Sequence, residues 1–196
     1  MMRYRRSYRH PHKSRFVEMF GDVRCSTKDF PKIYGDEVFA FASGKFLESE
    51  RRKKSGVPVY GGNGVAWYTD KPLVNKPTIV LGRVGAYCGN VRLVERPAWI
   101  TDNAIFIKSF KKNIFDISFL AQYMKLIDFS RFAAKSGQPK ITQRPLEEAA
   151  YIVPPLTLQR EFAAFVEKVD KLAFAVRKSL ESAEKLYRQQ LSEAFA

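Results

Sequence analysis

From Leu156 to the end the chain contains neither Gly nor Pro, and directly before that run stand Pro154 and Pro155. Proline lacks an amide donor and restricts the residue before it, so a helix has to begin after the pair. Thr157 is the expected N-cap, its hydroxyl accepting from a free amide of the first turn, and Glu161 places negative charge near the positive end of the helix dipole. Phe162, Phe165, Val169, Leu172, Val176, Leu180, Ala183, Tyr187 and Ala194 recur at steps of mostly three or four, the spacing that gathers them on one face. At ~1.5 Å per residue the helix is roughly 55 Å long, more than a domain of about 150 residues covers with its own surface. Part of the stripe therefore asks for a partner, because large apolar side chains each gain roughly 1.5–3 kcal/mol on burial and otherwise leave a sticky patch. Folding back of the helix onto its own domain is the rival arrangement.

Charge separates the helix from the rest. Of the formal net charge of +14, residues 1–15 hold six bases and no acid, and residues 16–156 hold twenty-one bases against fourteen acids. Residues 157–196 hold seven bases against six acids. A nearly neutral helix suits a protein partner and a basic domain suits a polyanion, most simply double-stranded DNA or other nucleic acid, against the plain alternative of a solvated basic surface. No apolar run approaches eighteen residues and the amino terminus is basic and polar, so a cytoplasmic protein without a membrane span is expected. Cys25 and Cys88 are too few for a disulfide framework, and with His10 and His12 they form no familiar zinc spacing. No metal site is expected.

Along the chain, residues 1–13 read as a basic disordered arm, and Ser14–Asp22 as a short helical turn closed by Gly21. Glu37–Ala42 and Val57–Tyr60 read as strands, separated by the basic run Arg51–Lys54, which is either a solvated loop or a set of phosphate contacts. Tyr60-Gly-Gly-Asn-Gly64 marks a tight turn. Thr78–Leu81 and Asn90–Val94 are β-rich segments joined by a second glycine-rich connection, residues 82–89, which lacks the Lys-Ser/Thr of a Walker loop. Ala104–Ile107 supplies another strand. Ile117, Leu120, Ala121, Met124 and Ile127 predict a helix of about four turns capped by Asp116. Residues 135–144, polar and basic, offer amide and hydroxyl groups suited to base edges or phosphates, or form a plain surface loop. Tyr151–Val153 reads as a last strand. The fold class is α/β or α+β, with a domain over residues 14–153 and the long helix over 154–196.

These pieces in this order resemble the specificity subunit of type I restriction-modification systems. The resemblance rests on Ser43-Gly44-Lys45, Val59–Gly64, Leu81–Gly85, Ile100–Ala104, Ser136-Gly137-Gln138 with Ile141-Thr142, and Val153–Leu156 with Gln159 leading into the helix. It implies a target recognition domain that reads half of a split DNA target, and a long helix that holds domains apart and docks methyltransferase subunits. It further implies a non-catalytic targeting subunit: S-adenosylmethionine, ATP and Mg belong on partner subunits, among them a restriction/translocase subunit, and no cofactor belongs on this chain. A full specificity subunit has two recognition domains and two long helices, so this chain resembles a half-subunit, with Ser14–Asp22 like the junction that precedes a second recognition domain. A homodimer with antiparallel, coiled-coil helices would rebuild the whole and read an interrupted palindrome.

Tyr60, Asn63, Arg83, Tyr87, Gln138, Lys140 and Thr142 are the expected DNA contacts, chosen from turns and side-chain chemistry. Arg83 as a structural ion-pair partner, and Tyr60 and Tyr87 as packed rings, stand beside that reading. Two other classes remain in play. One is an assembly or decoy protein that binds methyltransferase subunits through the helix without selective DNA binding. The other is a thiol enzyme using Cys25 or Cys88, disfavoured because both histidines lie in the basic arm.

Overall fold

The protein is described from a computed structural model over residues 11–23, 28–134 and 138–194. The basic arm expected at the amino terminus lies outside the described residues up to His10, as do Cys25 and Lys135–Gly137. Helix α1 (Pro11–Phe20) begins within the stretch expected to be disordered. Gly21 closes it at φ 84°, its amide returning to the Val17 carbonyl at 2.9 Å.

The domain follows as β1 (Lys32–Tyr34), α2 (Gly35–Val38), β2 (Phe39–Ser43), β3 (Val57–Gly61), β4 (Gly64–Thr69), β5 (Thr78–Gly82), β6 (Val91–Val94), β7 (Trp99–Ile100), β8 (Ala104–Phe110), α3 (Ile117–Leu126), α4 (Arg144–Glu147) and β9 (Ala150–Ile152). It ends in α5 (Leu156–Ala194), 39 residues long. The fold is α+β.

A four-stranded antiparallel sheet in the order β2-β8-β5-β6 is the frame. Its inner strand β5 reads Thr-Ile-Val-Leu-Gly and is buried throughout, as a run with apolar and β-branched side chains on both faces must be. One face of that sheet carries Phe39, Phe41, Ile79, Leu81, Ile105 and Ile107 into the main core with α3 and the start of α5. The other face, through Val80 and Phe106, meets the second sheet, β4-β3-β7. Parallel pairing sets Val59 beside Trp99 and Tyr60 beside Ile100. Because side chains alternate along a strand, Tyr60 and Ile100 turn toward the large sheet, while Val59 and Trp99 pack with Leu47 on the far side.

Three expectations are corrected. The strand expected from Glu37 starts only at Phe39, because Glu37 accepts from the Tyr34 amide at 3.0 Å and caps a helical turn over Gly35–Val38. The helix capped by Asp116 is ten residues, nearer three turns than four; Asp116 accepts from the Ser118 and Phe119 amides at 2.9 and 3.0 Å, as expected. Thr157 is inside α5 rather than at its cap: the Pro155 carbonyl already takes the Gln159 amide at 3.1 Å, so the helical ladder starts two residues earlier than a Thr157 cap would place it.

An aromatic cluster joins α1, α3 and the start of α5. Phe16 is fully buried and lies 5.5 Å from both Phe162, edge-on, and Tyr123, stacked. Phe20 meets Phe119 at 5.1 Å and Phe162 at 5.6 Å. Packing of this geometry adds to the area each ring buries, so the first turns of α5 belong to the domain. Arg15 reinforces the joint with a 3.0 Å hydrogen bond to Glu161.

Candidate nucleic-acid interface

The two glycine-rich turns are adjacent in space. A Cβ on Gly82 would lie 2.1 Å from the Tyr87 carbonyl oxygen and 3.2 Å from the Gly62 Cα. Only glycine permits that approach, and through it the end of β5, the 83–89 loop and the β3–β4 turn make backbone contact. Gly85 and Gly89 sit at φ 73° and 87°, the left-handed values that bend the loop back so that the Gly89 amide reaches the Gly82 carbonyl at 2.8 Å.

A third segment closes on this loop from the other side. The Gly85 amide donates to the Pro139 carbonyl at 3.0 Å and the Ile141 amide to the Arg83 carbonyl at 2.9 Å, bracketing an antiparallel bridge between Val84 and Lys140. Residues 101–103 tie in as well: the Arg83 amide donates to the Asn103 carbonyl and the Thr101 amide to the Tyr60 carbonyl, each at 2.9 Å. The Ser43 hydroxyl, at the end of β2, accepts from Arg83 Nη1 and Gln143 Nε2, both at 3.3 Å. All seven expected contact residues thus stand on one connected cluster of turns.

Their exposure differs. Asn63, Tyr87, Gln138, Lys140 and Thr142 are exposed, Tyr87 at 45%. Tyr60 is half-buried and packs against the second core, which is the structural role weighed for it above. Arg83 is half-buried and bonds the Ser43 hydroxyl, and its buried Nε has no hydrogen-bond partner among the described residues.

Arg92 belongs to this cluster and was not expected. Its Nη2 donates to the Asn63 carbonyl at 2.9 Å, and its guanidinium carbon lies 3.2 Å from where a Gly64 Cβ would be. It holds the tip of the β3–β4 turn. A lone arginine inside a short strand carries no sequence signal for such a role. The Arg51–Lys54 run divides: Arg51 lies over the Trp99 ring at 4.8 Å and pairs with Asp70 at 3.4 Å, and Arg52 lies over Trp67 at 4.2 Å. These two guanidiniums brace the second sheet through cation–π contact, which leaves Lys53 and Lys54 exposed.

Among the described residues no group of three or more His, Cys, Asp or Glu is placed to hold a metal ion. Burial pushes the Cys88 thiol above its ordinary pKa, and its Sγ lies 3.3 Å from the Arg83 carbonyl, the opposite of an activated thiolate. His12 lies 3.3 Å from Asp170 on α5. No helix among the described residues is long and apolar enough to cross a membrane.

The second candidate element is α5. Gln159, Phe162 and Val166 are buried, and Phe165 and Val169 half-buried. From Asp170 through Glu193 every residue is exposed. Leu172, Val176, Leu180 and Tyr187 are between 58% and 65% exposed, and Ala183 is exposed with them. The helix therefore leaves the domain instead of folding back on it.

Residues 28–184 match the sequence pattern of the family described as type I restriction modification DNA specificity domain. The chain belongs to this family. The specificity-domain chain is also 26% identical, over 145 residues, to the type I restriction enzyme EcoprrI specificity subunit of Escherichia coli, a match covering 71% of this chain and 36% of the relative. Solved structures agree in fold. The S subunit of a type I restriction-modification system from M. genitalium matches with a TM-score of 0.66 at 24% identity, over 86% of this chain and 46% of that one. The HsdS subunit from Thermoanaerobacter tengcongensis matches at 0.60 and 16% identity, over 86% and 44%. A chain from a structure of type I R-M complex assembly matches at 0.63 and 17%, over 90% and 50%. The specificity-domain chain thus spans half or less of the length of these relatives.

Proposed function

We propose that this chain is a single-domain DNA-recognition unit of a type I restriction-modification complex. The loop cluster around Gly82 reads one half of a bipartite target, and α5 pairs with a second copy and docks methyltransferase subunits, with a restriction/translocase subunit joining the full complex. The observation that carries this reading is the division of labour within one member of the specificity family. Two glycine-shaped turns and a third polar segment converge at one place, and an amphipathic helix runs bare from Asp170 onward. A basic recognition end and a nearly neutral helix need different partners, a polyanion and a protein.

In this reading the chain is cytoplasmic and non-catalytic, and S-adenosylmethionine, ATP and Mg are held by partner subunits. Exposed Lys140 holds a phosphate, while Asn63, Tyr87, Gln138 and Thr142 face base edges or sugar. Arg83, steadied by Ser43, is the candidate for bidentate contact with guanine. Two copies related by a two-fold axis read an interrupted palindrome, with half-sites about one and a half turns apart at ~34–36 Å per turn.

The test is selection from random duplex DNA with this protein, a type I methyltransferase subunit and S-adenosylmethionine, reading out methylated adenines. Enrichment of an interrupted palindrome is expected. An asymmetric site would replace the homodimer by pairing with a different specificity chain, and complex formation without enrichment would replace recognition by the assembly or decoy role.

A further inference from the structure

The second sheet leaves part of the large sheet's face uncovered. Its cover ends at residues 73–77, which are pinned to the residue before β7: the Leu73 and Val74 amides donate to the Ala98 carbonyl at 2.9 and 3.0 Å, and the Ala98 amide returns to the Val74 carbonyl at 3.0 Å. Beyond this segment a groove of about 510 Å³ crosses β2, β8 and the start of β5. Its floor is Ala42 and Phe106, which are register partners and so share a face, and Leu73 and Val74 form an apolar wall. The hydroxyl that borders the floor, Thr78 Oγ1, is buried and already donates to the Ile107 carbonyl at 2.6 Å. A concavity of this size and character suits an apolar side chain. Because backbone bonds hold the wall, little ordering opposes binding.

The rim is cationic. Lys45, Lys76 and Lys108 line the groove and are exposed, and no carboxylate lines it. Among the described residues none of the three ammonium groups makes an ion pair or a side-chain hydrogen bond. Strands β2 and β8 are antiparallel with Ala42 opposite Phe106. Lys45 therefore stands three residues past one end of that pair and Lys108 two residues past the other, roughly 17 Å apart at ~3.4 Å per residue. Lys76 lies on the wall.

Phosphate does not account for this site. A duplex backbone is polar and gains nothing from Phe106, Leu73 and Val74, and the loop cluster touches the groove only at Ser43, whose hydroxyl is taken up by Arg83 and Gln143. An apolar side chain flanked by acids satisfies floor and rim together. We infer that this groove docks an acidic, extended segment of a partner protein, with one large apolar side chain against Phe106 and carboxylates reaching Lys45 and Lys108. The inference stands on the groove alone and does not use the recognition reading.

Selection from a random short-peptide library on the full chain tests it. Enriched peptides should carry Leu, Ile, Phe or Trp between acids spaced about five residues apart, the span of the two end lysines in an extended chain. A synthetic copy of an enriched peptide should bind Lys76→Glu/Lys108→Glu about tenfold more weakly or worse, bind Lys76→Arg/Lys108→Arg nearly as it binds the wild type, and lose about tenfold when its apolar anchor becomes Ser. Both pairs of substitutions fall on exposed side chains, so the fold is retained, and an unchanged Tm verifies this. No enrichment, enriched peptides without acids, or equal binding by the Glu variant would overturn the inference. Displacement of the peptide by mixed-sequence duplex DNA would overturn it too, by assigning the three lysines to DNA. No methyltransferase is present, so failure here leaves the recognition reading standing.

Discussion

Gln159 is the fully buried side chain that couples the two working parts. Its Oε1 accepts the Asp116 amide at 2.9 Å, and its Nε2 donates to the carbonyls of Ile114 at 2.9 Å and Pro154 at 2.7 Å. One amide thereby satisfies the N-cap residue of α3, the loop before it and the proline at the mouth of α5. Gln159→Leu keeps the volume and removes all three bonds, stranding one backbone donor and two acceptors. At about 1–3 kcal/mol for each buried group left unpaired, with the carbonyls able to find weaker partners, the expected loss is about 3 kcal/mol. For a chain of this size that is a fall in Tm of roughly 6–12 °C. Gln159→Glu keeps the acceptor and replaces the donor by a second oxygen facing two carbonyls, so it should cost at least as much. Urea and thermal unfolding at one fixed protein concentration measure both, the fixed concentration being required because association stabilises by mass action. Hydrogen exchange at the Asp116 amide supplies a local reading. If Gln159→Leu stays within about 0.5 kcal/mol of the wild type, the size expected of an uninvolved surface site, the reasoning about this latch is wrong.

Three further outcomes follow from the same structure. Arg83→Ala should lose about 1–3 kcal/mol of binding at one base position and relax preference there, whereas Lys140→Gln should weaken all sequences alike and lower the salt slope by about 1; competition with single-base variants distinguishes them, and uniform loss for Arg83→Ala would remove it from base reading. Gly82→Ala forces a Cβ to within 2.1 Å of the Tyr87 carbonyl, so it should both lower Tm and scramble base preference, and wild-type preference in a folded Gly82→Ala protein would show that the turns need not touch. Burial raises the phenol pKa of Tyr151 and of Tyr123; the folded state therefore holds these protons more tightly than the unfolded chain, and stability should fall as pH rises past the ordinary tyrosine value of about 10, by up to about 1.4 kcal/mol per pH unit per ring. Denaturation at pH 9 and 11 checks this, and Tyr151→Phe should reduce the slope.

The strongest periodic signals were legible from the sequence: α5 after its two prolines, α3 with its Asp116 cap, and the apolar strand β5, because each is fixed by local chemistry that no tertiary contact overrides. What escaped was set by distant partners. Strand β4 carries Trp67 and Tyr68 at 40% and 36% exposure on a sheet edge, so burial imposes no alternation on it that a reader could detect. The Gly35 turn is imposed from 111 residues away, where a Cβ would lie 2.3 Å from the Leu146 carbonyl.

For the candidate site the division is sharper. Glycines told where backbones must crowd: the loops bearing Asn63, Arg83 and Tyr87 stand together because Gly62 and Gly82 let them, and the Lys140 segment joins through backbone hydrogen bonds at Gly85 and Arg83. Which side chain is free for a ligand depends on what else it touches, and that is a property of the fold. Arg51 and Arg92 look alike in sequence, yet Arg51 lies over Trp99 and Arg92 holds the Asn63 turn. Basic residues therefore suggest a class of partner from sequence, but only their neighbours decide whether a given guanidinium is free for a ligand or supports a loop.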